Sequence, residues 1–536
     1  MFLNDFKKGL SNKIHNNLNS KFENLKNKNL LNSYNKLIGL QTKNELKYKS
    51  LLIDGSFYNL GYFYRLQLLR AAIKSEKLIE HAFIWNYNQK ICKYILKTLG
   101  INNIYKLGNK PVNHLLKQAD QISRNIKTKS DILNIEFPYK VPGTHLYDYI
   151  LKQQRKATLD IKDKRIKSYI YNFLIAIKSS EDLLKNLSPD LVVLSHSISF
   201  QCAPIAWIAA SQKISTIILN GEYGIPRLWK MNTPEDIFFG IGHPRQEKLL
   251  DIPEKNKMIL RKIGLKYLKE RFLGKSNDLG GKLAYSKGKK KLDILDSYKV
   301  EGKKIIAVYV GNWFDFPHIF GMSRFIDILE WCEETLKEAA KNKDVIWLIK
   351  SHPYDEWHGG DIILKDLLPK NLPNNIIVLP NNYSGQAVIN SADALVTHHG
   401  TSAIEYTCFG KPSLVTDTGW YNDWNFALMP NSRSHFLELL NTKWYETIDI
   451  EKAKSKAQLF AGLYFGIPNW QKNIVLPDDA DKLELREILP EFIKKNKSEI
   501  KKEIEFLNRW IQSKSKDYHT YKMENSKNYT TLNTKE

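Results

Sequence analysis

The stretch that decides the fold reads Asp393-Ala394-Leu395-Val396-Thr397-His398-His399-Gly400-Thr401-Ser402-Ala403-Ile404-Glu405. Its apolar start predicts a buried strand, Gly400 predicts a turn, and the residues from Ser402 predict a helix with Glu405 in its first turn. Free backbone N–H groups, the helix dipole and the Thr401 and Ser402 hydroxyls would then hold a phosphate, with Glu405 placed to bind a ribose diol. The structural alternative is that Thr401 or Ser402 only caps the helix and Glu405 completes a capping box.

Upstream of this stretch, a second predicted strand also ends in polar residues. Trp347-Leu348-Ile349 is followed by Lys350-Ser351-His352-Pro353, and the proline ends the strand because it cannot donate to a ladder. A histidine at the carboxyl end of a strand, next to Lys350, can donate to a phosphate and neutralise charge on a leaving group. A histidine satisfied within the fold is the alternative for His352.

A third strand, within residues 304–310, leads into Gly311, Asn312 and Asp315. Glycine at such a position permits close approach of the backbone to a ligand. For Asn312 and Asp315, contact with a ligand and an ordinary turn both remain open.

These strands belong to two series of short apolar runs that alternate with amphipathic segments, a pattern typical of βαβ units with parallel sheets. The first series has predicted strands at 50–53, 82–85, 103–107, 191–194 and 216–219. The second has them at 304–310, 345–349, 376–379, 394–397 and 413–416. Two doubly wound sheets predict an α/β protein with two Rossmann-like lobes whose ligands bind beyond the carboxyl ends of the strands.

Changes in composition predict four regions. Residues 1–47 form a basic amphipathic segment, residues 48–290 an N-terminal acceptor lobe with a helical insertion at 118–186, residues 291–482 a nucleotide-binding lobe, and residues 483–536 a helix with a polar tail. The Gly- and Lys-rich stretch 274–291 predicts a mobile linker or exposed loop between the lobes.

In the first region, apolar residues recur at nearly every fourth position and line one face of a helix. Two roles remain open for this helix, namely contact with an anionic membrane surface and packing on the body of the protein. The residues concerned are Phe2, Phe6, Leu10, Ile14, Leu18, Phe22 and Leu25.

Composition narrows the class of protein. The chain has 536 residues, 43% of them hydrophobic, and a formal net charge of +24, which suits an acidic partner but also fits a solvated surface rich in lysine. Four isolated cysteines and the absence of a signal peptide or a long apolar run predict a cytoplasmic protein. P-loop, HExxH, CxxC-pair and GxSxG motifs are missing from the sequence, and no DxD pair lies in a loop predicted to face the ligand site, so we expect neither metal nor cofactor.

The succession Lys-x-His-Pro, then Gly-Thr-Ser-x-x-Glu, closing at Gly410-Lys411-Pro412, resembles the C-terminal lobe of bacterial capsular polysaccharide synthesis proteins. That family includes Kdo transferases that use a CMP-activated sugar, and CDP-glycerol glycerophosphotransferases are more distantly similar. The resemblance covers roughly residues 304–424 and implies the GT-B fold, in which both sheets face a central cleft. It implies that His352 and Pro353 contact the nucleotide phosphate, that Thr401 and Ser402 form a hydroxyl pair, and that Glu405 binds the ribose. The pair departs from the two serines of the family, and His398-His399 matches no pattern in it.

The catalytic acid or base is expected from the N-terminal lobe, because the acceptor must approach from the side opposite the nucleotide. Three loops supply candidates, namely those with Asp54, with His196 and with Glu222. Glu222 lies between two glycines, so its carboxylate can act as a general base or as a nucleophile. His196 and Asp54 are the alternatives, and a surface turn is the structural interpretation of the Glu222 loop.

The sequence therefore predicts a metal-independent glycosyltransferase that moves a sugar from a nucleotide-activated donor to a surface polysaccharide or lipid-linked acceptor. A CMP-linked acidic sugar is favoured, because the chain is basic. Nucleic acid is not expected as a partner. The alternatives are a CDP-glycerol-type phosphotransferase, a nucleotide-sugar 2-epimerase and a non-catalytic scaffold for polysaccharide assembly.

Overall fold

The structure is a computed structural model, and it places two compact units in the chain. The residues described are 28–40, 48–56, 60–85, 89–108, 112–222, 225–239, 244, 246, 252–275, 279–353, 355, 362–465 and 485–518. The first unit takes its described residues from 1–149, 161–242 and 469–526, and the second from 150–160 and 243–468. Each unit is an α/β body with its own sheet, which confirms the prediction of two Rossmann-like lobes.

The strands are β1 (Ser50–Asp54), β2 (Ile79–Trp85), β3 (Asn103–Leu107), β4 (Leu191–Leu194), β5 (Ser215–Glu222), β6 (Ile225–Met231), β7 (Lys304–Tyr309), β8 (Val345–Lys350), β9 (Ile376–Val378), β10 (Ala394–Thr397) and β11 (Ser413–Val415). The helices of the first half of the chain are α1 (Lys28–Ile38), α2 (Leu60–Ile73), α3 (Gln89–Thr98), α4 (Asn113–Asn125), α5 (Lys129–Leu133), α6 (Gly143–Gln154), α7 (Ile166–Leu187), α8 (Ser199–Ser211) and α9 (Glu254–Phe272). Those of the second half are α10 (Leu279–Tyr285), α11 (Ile328–Ala339), α12 (Leu364–Leu367), α13 (Gly385–Ser391), α14 (Ser402–Cys408), α15 (Arg433–Leu439), α16 (Ile450–Tyr464), α17 (Leu485–Lys495) and α18 (Lys497–Gln512).

In the first unit the strand order is β3-β2-β1-β4-β5-β6, with β6 antiparallel to β5 and the other pairs parallel. The apolar core of this unit includes residues of β1, α2 and α3 together with α1, α17 and α18. Leu31, Tyr34 and Leu37 of α1 are fully buried. This part of the predicted N-terminal segment therefore packs on the protein, while the periodic residues Phe2 to Leu25 lie outside the described residues.

Two predicted boundaries differ from the structure. The N-terminal part of the first unit ends at residue 242 instead of 290. The chain returns to this unit at residue 469, so helices α17 and α18 complete its core. The stretch 274–291 contains helix α10 and a backbone bridge between Lys289 and Tyr383, and it belongs to the second unit. The contact between the buried rings of Tyr285 and Phe272 holds this stretch in place. The content of glycine and lysine alone does not indicate such a contact.

In the second unit the strand order is β11-β10-β7-β8-β9, and all pairs are parallel. The chain builds β7, β8 and β9 in one direction and then returns to place β10 on the other side of β7. The strand order therefore reverses between β7 and β10, which is where doubly wound sheets bind ligands. The corresponding reversal in the first unit lies between β1 and β4.

Candidate functional site

The predicted donor residues of the second unit follow strands that end at one edge of its sheet. Tyr309 is in register with Lys350 of β8 and with Thr397 of β10. Gly311, Ser351 and the residues after Thr397 therefore leave the sheet side by side, at the point where the strand order reverses. The structure thus brings together three loops that are far apart in the sequence.

Hydrogen bonds connect these loops. The Asn312 side-chain amide donates to Asp355 Oδ1 at 3.1 Å, which ties the loop after β7 to the loop after β8. The Tyr421 hydroxyl donates to the Gly400 carbonyl at 2.8 Å. At Gly400 an added Cβ would lie 2.9 Å from Thr397 Oγ1 and 3.1 Å from Ser402 Oγ. This turn therefore requires glycine for lack of space, since side-chain atoms already surround it.

Lys350, Ser351, His352 and Pro353 are partly buried at the end of β8. The Lys350 amine donates to the Tyr383 carbonyl at 2.8 Å, and burial lowers the pKa of Lys350 to about 8. The Ser351 hydroxyl donates to Asn381 Oδ1 at 2.5 Å. An approaching anion stabilises the protonated form of such a lysine, because its negative charge offsets the loss of solvation of the ammonium.

The helix start at Thr401 differs from the structural alternative, in which this residue caps the helix. Thr401 is the N-cap of α14, but its side chain makes no capping hydrogen bond, so the predicted capping box is not formed. Glu405 is 3% exposed; Arg271 Nε donates to its Oε1 at 2.8 Å and the Tyr285 hydroxyl donates to its Oε2. Both oxygens of the expected ribose-binding acid thus accept from protein donors, and the carboxylate joins α14 to α9 and α10.

The role of Glu405 follows from the cost of burying charge. An ion pair taken out of water is strongly destabilised when one partner is removed, because the other charge stays buried alone. The Arg271 and Glu405 side chains are 5% and 4% exposed. This carboxylate is therefore a structural element of the second unit.

Asp315 also has a protein partner. Lys152 Nζ lies 2.5 Å from Asp315 Oδ1 and 4.3 Å from the centre of the Phe316 ring. Both side chains of the pair are about one third exposed, at 36% for Lys152 and 34% for Asp315. The residues predicted after β7 therefore separate, with Asn312 facing the loop after β8 and Asp315 paired with Lys152.

Sequence reasoning missed a chain of polar side chains at the same edge. Asp417, Ser323, His398 and His399 contact one another in that order: Ser323 donates to Asp417 Oδ2 at 2.6 Å, Ser323 Oγ lies 3.1 Å from His398 Nε2, and the two histidine Nδ1 atoms are 2.7 Å apart. The signal that could have found it is two histidines at the end of β10 and an aspartate just after β11. Ser323 carries no such signal, since it comes from the long loop after β7.

In the first unit, the structure brings together two of the three predicted catalytic residues. The Ser195 hydroxyl donates to Asp54 Oδ2 at 2.5 Å, and His196 Nδ1 lies 3.1 Å from the same Ser195 oxygen. Asp54 is 1% exposed and its second oxygen accepts from the Ser56 N–H at 2.9 Å. Asp54 ends β1, and Ser195 and His196 follow β4, so these residues lie where the strand order of this sheet reverses.

Glu222 occupies a different place from the predicted loop. It is the last residue of β5 and is in register with Ile225 of the antiparallel strand β6. The side chain of Glu222, like Tyr223 and Gly224, lies outside what the structure describes. Asn220, Gly221 and Glu222, which were expected in a loop, therefore belong to strand β5.

In the described ranges there is no group of three or more His, Cys, Asp or Glu side chains that could hold a metal ion. Within the same ranges, every helix is too short or too polar to cross a bilayer.

Neither a known family model nor a curated protein matches the chain. Among solved structures it is similar to the UDP-GlcNAc 2-epimerase from Neisseria meningitidis bound to UDP-GlcNAc, with 14% identity, 83% of this chain and 100% of that chain covered, and a TM-score of 0.23. It is also similar to Thermosulfurimonas dismutans KpsC, a beta Kdo 2,4 transferase, with 13% identity, 51% and 79% coverage and a TM-score of 0.33. A third is spinosyn rhamnosyltransferase SpnG, with 10% identity, 77% and 95% coverage and a TM-score of 0.26. Likenesses at this level do not identify a substrate or a reaction.

Proposed function

We propose that this protein is a glycosyltransferase of the GT-B type that transfers a sugar from a nucleotide-activated donor to a polysaccharide or lipid-linked acceptor. The observation that carries the proposal is the chain Asp54–Ser195–His196 at the strand-order reversal of the first unit. Such a chain orients a general base, and ligands of doubly wound sheets bind at this place.

The direction of the hydrogen bonds assigns the protons. Ser195 has one hydroxyl proton, and it gives that proton to Asp54 at 2.5 Å. The Ser195 oxygen therefore accepts from His196 Nδ1–H, and the neutral ring has its lone pair on Nε2. In the proposed reaction the acceptor oxygen attacks the sugar carbon, its proton passes to His196 Nε2, and the bond from that carbon to the phosphate oxygen breaks. Asp54 and Ser195 position the base.

The donor site of the proposal is the edge of the second sheet that carries Gly311, Asn312, Lys350, His352 and Gly400. Its partly buried lysine, its histidine and the polar turn with Thr401 and Ser402 suit an anionic phosphate. A CMP-linked acidic sugar remains the favoured donor on the charge argument, with UDP-sugars and CDP-glycerol as the alternatives. Binding of CMP, UDP or CDP in a thermal-shift panel identifies the nucleotide.

The substitution His196→Gln tests the base. We expect turnover to fall by about 10²- to 10⁴-fold with little change in nucleotide affinity, because the base acts on the acceptor and general base catalysis typically contributes that much. Release of nucleotide and transfer to acceptor are measured with the donor chosen by the panel. His114→Gln, on the exposed face of α4, is the matched control.

Other outcomes of the same assay redirect the proposal. Near-normal turnover in His196→Gln would assign the base to Glu222 at the end of β5. Conversion of the donor to a second nucleotide-sugar without any acceptor would assign a 2-epimerase, and an active phosphotransferase would release CMP from CDP-glycerol. Binding of polysaccharide without turnover would assign a scaffold.

Affinity for the nucleotide is expected to depend on pH through Lys350. Burial lowers the pKa of Lys350 to about 8, and a bound phosphate raises it again, so binding takes up a proton above about pH 8. Affinity should then fall by about tenfold per pH unit as the pH rises from about 8 to 10. Calorimetry in buffers of different ionisation enthalpy measures the uptake. The substitution Lys350→Met should abolish this proton uptake. The control Lys337→Met, at an exposed lysine of α11, should leave the uptake unchanged. If Lys350→Met retains the uptake, Lys350 is not the group that takes up the proton.

The basic segment at the N-terminus supports a site of action at the inner face of a membrane, where a lipid-linked acceptor would be found. Lysines near anionic lipid contribute about 1 kcal/mol each, so flotation with anionic vesicles should be reversible and weakened by salt. A chain without residues 1–27 should float less. Equal flotation of both chains would contradict this placement.

A further inference from the structure

The four-residue chain Asp417–Ser323–His398–His399 lies at the end of β10 and is separate from the residues of the proposed transfer. His398 is 2% exposed and Asp417 is 5% exposed, while Ser323 and His399 are partly buried. Asp417 also accepts from the Arg324 backbone N–H at 2.7 Å and from Arg324 Nη1 at 2.8 Å. Asp417 is therefore paired with Arg324 at the inner end of the chain.

The direction of each hydrogen bond follows from the number of protons. Ser323 gives its single hydroxyl proton to Asp417 at 2.6 Å, so its oxygen must accept from His398 Nε2–H at 3.1 Å. A neutral His398 then has its lone pair on Nδ1, and the proton between the two Nδ1 atoms belongs to His399. The lone pair of His399 is consequently on Nε2.

The position of that lone pair matters for function. His399 precedes Gly400, in the turn between β10 and α14, where the order of the strands reverses. Its ring lies edge-on to Phe320, with the ring centres 5.3 Å apart. Among the described residues, only His398 makes a hydrogen bond with the His399 side chain, and that bond is at Nδ1. Nε2 is thus the ring nitrogen of His399 that carries the lone pair and makes no hydrogen bond with the described residues.

We propose that His399 Nε2 shares a proton with a phosphate oxygen of the nucleotide, and that Asp417, Ser323 and His398 are positioning residues that fix this nitrogen as the one that takes up the proton. The inference rests on the proposed function, which supplies the phosphate, and it adds an acid to the donor side of the reaction. His352 and Lys350 were predicted to meet the phosphate; His399 was not.

The proposed step conserves protons. His399 takes a proton from water when the donor binds, and the bond between the sugar carbon and the phosphate oxygen breaks with its electron pair going to the oxygen. The phosphate thereby gains one negative charge, and the proton on Nε2 passes to it or stays shared with it. The acceptor proton leaves through His196, so no proton is gained or lost overall.

Burial keeps His399 neutral until an anion arrives. Burial lowers the pKa of His399 to about 4, Asp417 acts in the opposite direction, and His318 lowers the pKa further. Its partner His398 has a pKa held well below the usual range by burial, with His399, His318 and Arg324 adding to the effect. A phosphate against Nε2 offsets both the burial and the nearby positive groups.

Histidine ¹⁵N spectra test the proposal on the full-length protein. We expect His399 to carry its proton on Nδ1 and His398 on Nε2 at pH 7, with assignments from His399→Gln and His398→Gln. Addition of inorganic phosphate, CMP or UDP should move His399 Nε2 to the protonated range. Ser323→Ala should turn both fixed tautomers into mixtures, and Ser323→Thr, which keeps the hydroxyl, should restore them.

Turnover gives the second readout. His399→Gln should lower turnover by about 100-fold or more, within the range of general acid catalysis, and Ser323→Ala should lower it less, with recovery in Ser323→Thr. If the nucleotide shifts His352 but leaves His399 unchanged, or if His399 is protonated on Nε2 without ligand, this inference is wrong and the proposed function stands. If phosphate and every nucleotide leave His352 and His399 unchanged, this inference and the proposed function are both wrong.

Discussion

A chain that ends at residue 484 is expected to lose the folded first unit. Its missing helices α17 and α18 contribute large apolar side chains that are at most 5% exposed, namely Leu489, Ile493, Ile500, Ile504, Leu507 and Trp510. Burying each such side chain stabilises a fold by about 1.5–3 kcal/mol, so their loss removes on the order of 10 kcal/mol. The net stability of a domain is only about 5–15 kcal/mol.

Polar contacts add to this loss. The Asn508 side-chain amide donates to the Ala72 carbonyl at 2.7 Å, and Lys230 of β6 donates to the Trp510 and Ser513 carbonyls at 2.6 Å each. Circular dichroism and limited proteolysis of the first unit measure the outcome. A chain ending at Tyr518 keeps all of these contacts and is the control. If the chain ending at residue 484 unfolds at the same temperature as that control, the two helices are not part of this core.

Gly462→Ala is expected to destabilise the second unit by several kcal/mol, although alanine favours a helix by about 1 kcal/mol over glycine. Helices α9 and α16 cross here with their backbones in contact. A Cβ on Gly462 would lie 2.0 Å from the Leu260 carbonyl oxygen, and one on Gly264 would lie 2.4 Å from the Gly462 nitrogen. The obstacle is backbone rather than a flexible side chain, so the helices must separate, and overpacking of this kind typically costs about 1–3 kcal/mol or more.

The separation has a further consequence, because α9 also carries Arg271. Moving α9 away weakens the buried pair of Arg271 and Glu405 at 2.8 Å, which adds the penalty of poorly paired buried charge. Urea unfolding measures the free energy for Gly462→Ala and Gly264→Ala. Gly39→Ala is the control, since its Cβ would meet only the Lys36 carbonyl at 3.4 Å. Equal stability of all three variants would contradict the close crossing.

Most of the two sheets could be predicted from the sequence. All ten predicted strands are present, and three of them, at 103–107, 191–194 and 394–397, have the predicted ends. The strand that was missed, β6, begins with Ile225 and Pro226 and pairs antiparallel at the edge of its sheet. Proline is accepted at an edge because the missing N–H is not needed there, so the local pattern did not resemble a central strand.

The candidate site was predictable in position but not in the use of each side chain. Residues Gly311, Lys350 and Gly400 were placed at carboxyl ends of strands because those ends follow directly from the apolar runs. Glu405 was predicted to bind ribose, yet its partners Arg271 and Tyr285 lie 134 and 120 residues away in the sequence. The motif around Glu405 carries no information about hydrogen-bond donors that are so far away in the sequence.

The sequence by itself determined the two α/β series, their order and the polar loops after the strands, because strand and helix periodicity are local properties of the chain. Only the tertiary structure decided which carboxylates form hydrogen bonds and ion pairs within the protein. It also decided which histidines are oriented by a serine and an aspartate. It also decided that residues 485–518 complete the first unit. Hydrogen-bond direction and burial depend on groups brought together from distant parts of the chain, and one sequence pattern is compatible with several such arrangements.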